Sequence, residues 1–156
     1  MRSFAAGFVS CLLLIVAVGV VAKAMAEAWL TIPIASWHAE REREKGKGSY
    51  EQTNPGLGLE YVLNEKWRLG AGMYRSSIRT DAGYVGAVYL PWNPIRHTRI
   101  GASVGMVSGY EGNLIPLLIP TVVIEGKRWG VNLLVVPPTG TTGSGGVGLQ
   151  LKWKLP

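Results

Sequence analysis

Two histidines and one cysteine are the side chains of this sequence best placed to do chemistry near neutral pH. His38 is the more telling of the three. It closes the apolar run "IPIASWH" and stands just ahead of the alternating charges Glu40-Arg41-Glu42-Arg43-Glu44-Lys45. Such a position suits either a passive interfacial residue or a base held at a boundary between lipid and solvent. His97 lies in a turn between basic neighbours and reads as a surface residue. Cys11 sits inside the leading apolar segment, so its meaning depends on what that segment is.

Residues 1–26 have the three parts of a secretory signal peptide: Arg2, the apolar "CLLLIVAVGVV", and the small-x-small box Ala24-Met25-Ala26. Cleavage there would leave a single domain, 27–156, without cysteine and with no need of a disulfide. The alternative is an uncleaved anchor, because Phe4 to Ala22 is nearly long enough to span a bilayer. The full chain of 156 residues carries a net charge of +6. Its basic residues are scattered in ones and twos rather than gathered on one face, so nucleic acid is not an expected partner. Positive charge on an exported protein suits anionic headgroups equally well.

The elements that must position His38 follow a period of two. In "GGVGLQLKWK", Val147, Leu149, Leu151 and Trp153 alternate with Gly146, Gly148, Gln150 and Lys152. "WRLGAGMY" sets Trp67, Leu69, Ala71 and Met73 against Arg68, Gly70, Gly72 and Tyr74. Eight segments of this kind are expected, near 32–43, 56–63, 67–76, 83–90, 97–107, 115–125, 128–136 and 145–154. Turn-rich pieces separate them, "PWNPIR" at 91–96 among these, and tryptophans stand near the segment ends. The pattern predicts an all-β fold: an eight-stranded antiparallel transmembrane β-barrel of the outer-membrane type. A soluble lipocalin-like barrel has as many strands but puts its large apolar residues inside. Here the second face is too rich in glycine and serine to fill a soluble core.

Inward glycines such as Gly58, Gly70, Gly72, Gly101, Gly105, Gly146 and Gly148 would leave room in the bore for one acyl chain. They could equally relieve strain where a small barrel bends sharply. Pro33, Pro55, Pro116, Pro120 and Pro137 lie in or beside segments that read as strands. Proline donates nothing to a ladder, so prolines level with one another on neighbouring strands would leave a seam, unless each merely marks a strand end.

These residues together resemble the lipid A palmitoyltransferase (PagP) family of the Gram-negative outer membrane, from about Leu30 to Lys154. "IPIASWHA" is similar to that family's "IPAITWHA", which implies that His38 is the catalytic histidine. "TNPGLGLEY" resembles the family's "ERPWGGGFG". Pro33, Pro55, Pro120 and Pro137 match in register the prolines that border lateral gates in the barrel wall, through which lipids reach the interior. "YRSS" resembles "FKDS", whose aspartate and serine complete the catalytic group. Ser77 then stands for the serine, while Ser76 replaces the aspartate; Asp81, in the same loop, is a candidate substitute. The glycine floor that sets acyl length in the family corresponds to "GYVGAVY", which implies Val85 as an acyl-chain floor.

By this resemblance the chain is an acyltransferase. It would move a fatty acyl chain from a phospholipid donor to lipid A or a related acceptor, in the outer membrane, as a monomer, without metal or cofactor. His38 would be the base, Ser77 an orienting donor, an oxyanion donor or a nucleophile. Arg75 and Arg79 would hold lipid phosphates at the outer rim, or else be solvated loop charges. Without the family aspartate a second function is expected as the alternative: a catalytically inactive barrel that binds lipid or serves as a structural outer-membrane protein.

Overall fold

The computed structural model describes residues 27–39, 48–110, 113–138 and 145–156. The expected signal peptide and the charged run after His38 lie outside them. Eight strands follow one another: β1 (Glu27–His38), β2 (Gly56–Val62), β3 (Trp67–Arg75), β4 (Asp81–Ile95), β5 (Thr98–Tyr110), β6 (Asn113–Glu125), β7 (Trp129–Val136) and β8 (Gly146–Lys154). Each pairs antiparallel with the next, and β8 returns to β1, so the sheet closes into a barrel. Closure leaves no strand without a neighbour on both sides.

Several boundaries differ from the sequence pattern: the first strand ends at His38 rather than near 43, β5 runs on to Tyr110, and two further differences have a clear cause. The first strand begins at Glu27 rather than near residue 32, because Trp29 pairs with Lys154 and the Glu27 carboxylate accepts a hydrogen bond from Lys154 Nζ at 2.5 Å. The fourth runs to Ile95, through "PWNPI", which had the look of a turn. Register shifts between Tyr89 and Trp92 and between Trp92 and Ile95 place Pro91 and Pro94 beside bulges, where a missing N–H costs little.

Side chains alternate as the period demands, and the distribution is inverted relative to a soluble barrel. Leu57, Val104, Leu114, Leu118 and Trp153 are exposed on the outer wall, Leu118 by 69%. Thr31, Glu60, Arg68, Thr121, Asn132 and Lys152 are buried within. The exception is β6 from 114 to 120, apolar on both faces. The register that sets buried Ile119 opposite Ser103 also turns Ile115 and Leu117 toward the bore, while Leu118 faces out.

The two ends of the barrel differ. Three short turns and both described termini lie at one end, the turn end; the two longest connections, β1–β2 and β7–β8, lie at the other, the loop end, with the β3–β4 and β5–β6 turns. Just inside the turn end Glu60 Oε1 accepts from Arg68 Nη1 at 3.0 Å and from Lys152 Nζ at 2.5 Å. Glu125 holds the same two cations, with Arg68 Nη2 to Oε2 at 2.7 Å and Lys152 Nζ to Oε1 at 2.7 Å. Asn132 Nδ2 donates to the second oxygen of Glu60 at 3.0 Å, and Lys152 Nζ stands 4.8 Å from the Trp29 ring centroid. Two acids and two bases, with buried Trp29, Leu90 and Val123, plug this end. Such a network stays neutral inside low dielectric only while all four members remain.

Candidate functional site

Above the plug lies a cavity of about 240 Å³ that runs up the bore to His38 and Ser77 at the loop end. Its far wall, from β6 and β7, is aliphatic, with Ile115, Leu117, Ile119, Leu134 and Val136. Its near wall owes its openness to two glycines. A Cβ on Gly70 would meet nothing closer than 3.7 Å, and one on Gly148 nothing closer than 3.6 Å. The other inward glycines serve different ends. Gly86, Gly101 and Gly105 allow neighbouring backbone to approach where β4 and β5 bend, since a Cβ there would collide with main-chain atoms. Gly58 and Gly72 make space for the Tyr84 hydroxyl, which crosses the bore to Thr31 Oγ1 at 3.1 Å.

Tyr84 therefore reaches into the bore, and Val85 does not form a floor. The register Ala71↔Val85↔Met106 puts Val85 on the outer face with Ala71, and its side chain is 41% exposed. Only its backbone borders the bore. Period two allows one of two consecutive residues inside, and pairing with β3 selects Tyr84.

His38 is the last residue of β1, opposite Gly146 of β8, and lines the mouth. Its ring stacks on Tyr50, with centroids 4.4 Å apart and planes within 3°. Nδ1 is buried, with no hydrogen-bond partner among the described residues. Ser77 lines the same mouth, nearly buried. Its carbonyl accepts the Glu51 N–H at 2.8 Å, so the Tyr50–Glu51 segment links the imidazole to Ser77. Tyr110 hydrogen-bonds to Ser77, and its hydroxyl meets that of Tyr74 at 2.9 Å. Ser36 Oγ donates to Asn54 Oδ1 at 2.5 Å, and Asn54 Nδ2 donates to the Arg75 carbonyl at 3.0 Å. The mouth is thus a ring of hydroxyl, amide and imidazole groups above an apolar shaft.

Ser76 is not part of it. The residue is fully buried, and its hydroxyl bonds Thr80 Oγ1 at 2.7 Å and accepts the Thr80 N–H at 3.2 Å. This side chain ties the β3–β4 turn and points away from the cavity, where Ser77 has the room. Asp81 likewise does not reach His38: it accepts from Arg75 Nη1 at 2.9 Å on the exposed rim. Arg79 approaches Glu51 at 3.6 Å. Both arginines stand at the loop-end rim with carboxylates already beside them.

The prolines coincide with two breaks in the wall. The β1–β2 ladder stops at Thr31↔Gly58 and resumes, past buried Pro33 and exposed Pro55, where Asn54 N–H donates to the Ile34 carbonyl at 2.8 Å. The β6–β7 ladder stops at Thr121↔Leu134, with Pro120 the next residue on β6 and Pro137 just beyond β7. Among the described residues, β6 from 113 to 120 has ladder partners on β5 and none on β7. Tyr50, Asn54, Tyr84 and Tyr110 carried no signal of their own in the sequence. Tyr74 did, through its place on the polar face of β3.

No family model matches the chain, and no curated protein does. Among solved structures it is similar to the de novo designed TMB2.3, at a TM-score of 0.58 and 10% identity, covering 85% of this chain and 98% of that one. It is also similar to the Yersinia pestis outer membrane protein Ail in a phospholipid bilayer nanodisc, at a TM-score of 0.45 and 11% identity, covering 83% of this chain and 99% of that one. At such identities the first likeness establishes the fold, a closed eight-stranded antiparallel barrel, and nothing finer.

Proposed function

We propose that this protein is an outer-membrane acyltransferase that moves a fatty acyl chain from a phospholipid to lipid A or a related lipid acceptor. One observation carries the reading: a shaft with an aliphatic wall, plugged at the turn end, opens at a mouth lined by His38 and Ser77. An exterior of exposed aliphatics supports insertion in hydrocarbon. An acyl chain fits the shaft by chemistry and puts its ester carbonyl at the polar mouth. There His38 removes the acceptor hydroxyl proton as that oxygen attacks the carbonyl. The new ester bond forms, the bond to the glycerol oxygen breaks, and the proton passes to the departing lysophospholipid. Ser77, beside Tyr110, is the hydroxyl assigned to serve the oxyanion on this reading. The breaks beside Pro33–Pro55 and Pro120–Pro137 serve as lateral gates on this reading, and Arg75 and Arg79 as rim contacts for phosphate.

A second reading, a barrel that binds lipid without turning it over, is favoured by one feature. Among the described residues no carboxylate orients His38 and Nδ1 has no partner. The deciding experiment incubates purified protein in detergent with phospholipid and a lipid A acceptor. Acylated acceptor that disappears with His38→Ala supports the enzyme. Donor that binds in stoichiometric amount with no product across several chain lengths supports the carrier.

A further inference from the structure

Charge is distributed unequally between the two ends of the barrel. At the loop end the described charges are Glu51, Arg75, Arg79 and Asp81, two of each sign and paired with one another. At the turn end six cationic side chains surround the rim against two acidic ones, Glu27 and Glu65. Lys154 is engaged with Glu27, and Arg99 donates to the Glu65 carbonyl. Lys66, Arg96, Lys127 and Arg128 are exposed, and none has a carboxylate partner among the described residues.

A belt of exposed indoles lies at the same level. Trp67 opens β3 beside Lys66, Trp129 opens β7 beside Arg128, and Trp153 pairs with Trp129 in register beside Lys154. Trp92, 66% exposed, continues it on the overhanging β4–β5 hairpin. Indoles prefer the headgroup level of a bilayer. Lys66 and Arg128 lie one residue beyond them toward the turns, Lys127 two and Arg96 four, and these cations therefore stand at the level of lipid phosphates or just past it.

We propose that the turn end of the barrel is a docking surface for anionic phospholipid headgroups, with Lys66, Arg96, Lys127 and Arg128 as the contacting cations. The inference rests on the membrane-inserted reading above but not on catalysis. A cation near an anionic membrane surface gains attraction that salt screens over a Debye length of about 10 Å at 0.1 M. The surface thus selects one class of neighbouring lipid and fixes which end of the barrel meets it.

Full-length protein in phosphatidylcholine vesicles provides the test. A minority of either brominated phosphatidylglycerol or brominated phosphatidylcholine is included, and quenching of tryptophan fluorescence is compared. At low salt the anionic quencher is expected to be favoured about threefold or more, falling toward parity in high salt. The variant K66Q/R96Q/K127Q/R128Q is expected near parity, and K127Q/R128Q between the two. Should the fourfold variant fail to insert, the twofold variant and the salt series decide. Equal quenching by both lipids in the native protein, or a preference untouched by these substitutions, overturns the proposal. So does a preference abolished by R75Q/R79Q instead, or by inorganic phosphate at matched ionic strength, which would reassign the surface to free phosphate. No quenching by either lipid would overturn the membrane reading itself, and this inference with it.

Discussion

The plug and the mouth occupy opposite ends of the same bore, and they are built on opposite rules. At the plug, Glu60, Arg68, Glu125 and Lys152 answer one another in a neutral set wedged among Trp29, Leu90 and Val123. At the mouth the wall ladder is broken twice, and a histidine nitrogen is buried without a partner among the described residues. In the plug half Arg68 Nε and Asn132 Oδ1 lack a partner among the described residues, but every charged head there is met by an opposite charge. The mouth half keeps unsatisfied groups and loose strand pairs, which is what a site for an external ligand requires.

The largest expected effect separates the halves by activity. His38→Ala should lower acyl transfer by about 10²–10⁴-fold, the usual contribution of a positioned base. Thermal or urea unfolding in detergent should barely change, because among the described residues the ring stacks on Tyr50 alone and the pairing with Gly146 is made by the backbone. A loss of activity matched by a loss of folded protein would make the imidazole a structural prop.

Next comes the plug. Glu60→Gln leaves Arg68 and Lys152 sharing Glu125 alone, an uncompensated positive charge in the barrel interior. Breaking a buried ion network in this way costs about 3–5 kcal/mol. Denaturant unfolding should register it, while the activity of the molecules that remain folded should hold. If transfer falls as steeply as stability does, the two ends are not independent.

A smaller effect is expected from Gly70→Val, which projects a side chain into the open part of the shaft. Each methylene of acyl chain excluded or misfitted is worth about 1–3 kcal/mol in discrimination. The preferred acyl length should therefore shorten, as read by mass spectrometry of the product. Val85→Ala, on the outer wall, should leave the length unchanged. The converse result would return the floor to residue 85.

Much of this architecture was legible in the sequence, and the exceptions have physical causes. The inward set Gly146, Gly148, Gln150 and Lys152 was plain because polar and apolar residues alternate strictly in β8. "GYVGAVYL" gives no such contrast, since Gly83, Val85 and Ala87 are no more polar or apolar than Tyr84, Gly86 and Val88. Only pairing with Ala71 decides which of the two sets faces in. The reach of β4 through Pro91 and Pro94 depends on bulges, which composition does not announce. The plug was half visible: Arg68 and Lys152 each fell on a small or polar face, but their meeting with Glu60 and Glu125 across strands needs the closed circle. His38 and Ser77 share the mouth that their resemblance implied, whereas Ser76 faces its own turn.

The smallest expected effect bears on the carboxylate that the mouth lacks. Asp81 sits on the rim with Arg75, half exposed, in a pair of the kind that contributes about 0–1 kcal/mol. Asp81→Asn should thus change stability by no more than that, and transfer hardly at all. The plug makes the contrast useful, since removing a carboxylate there is expected to unfold the barrel more readily. If Asp81→Asn instead slows transfer nearly as much as His38→Ala, the β3–β4 turn must bring this carboxylate to the imidazole during turnover. It would then supply the orienting group, and the mouth, like the plug, would depend on a paired charge.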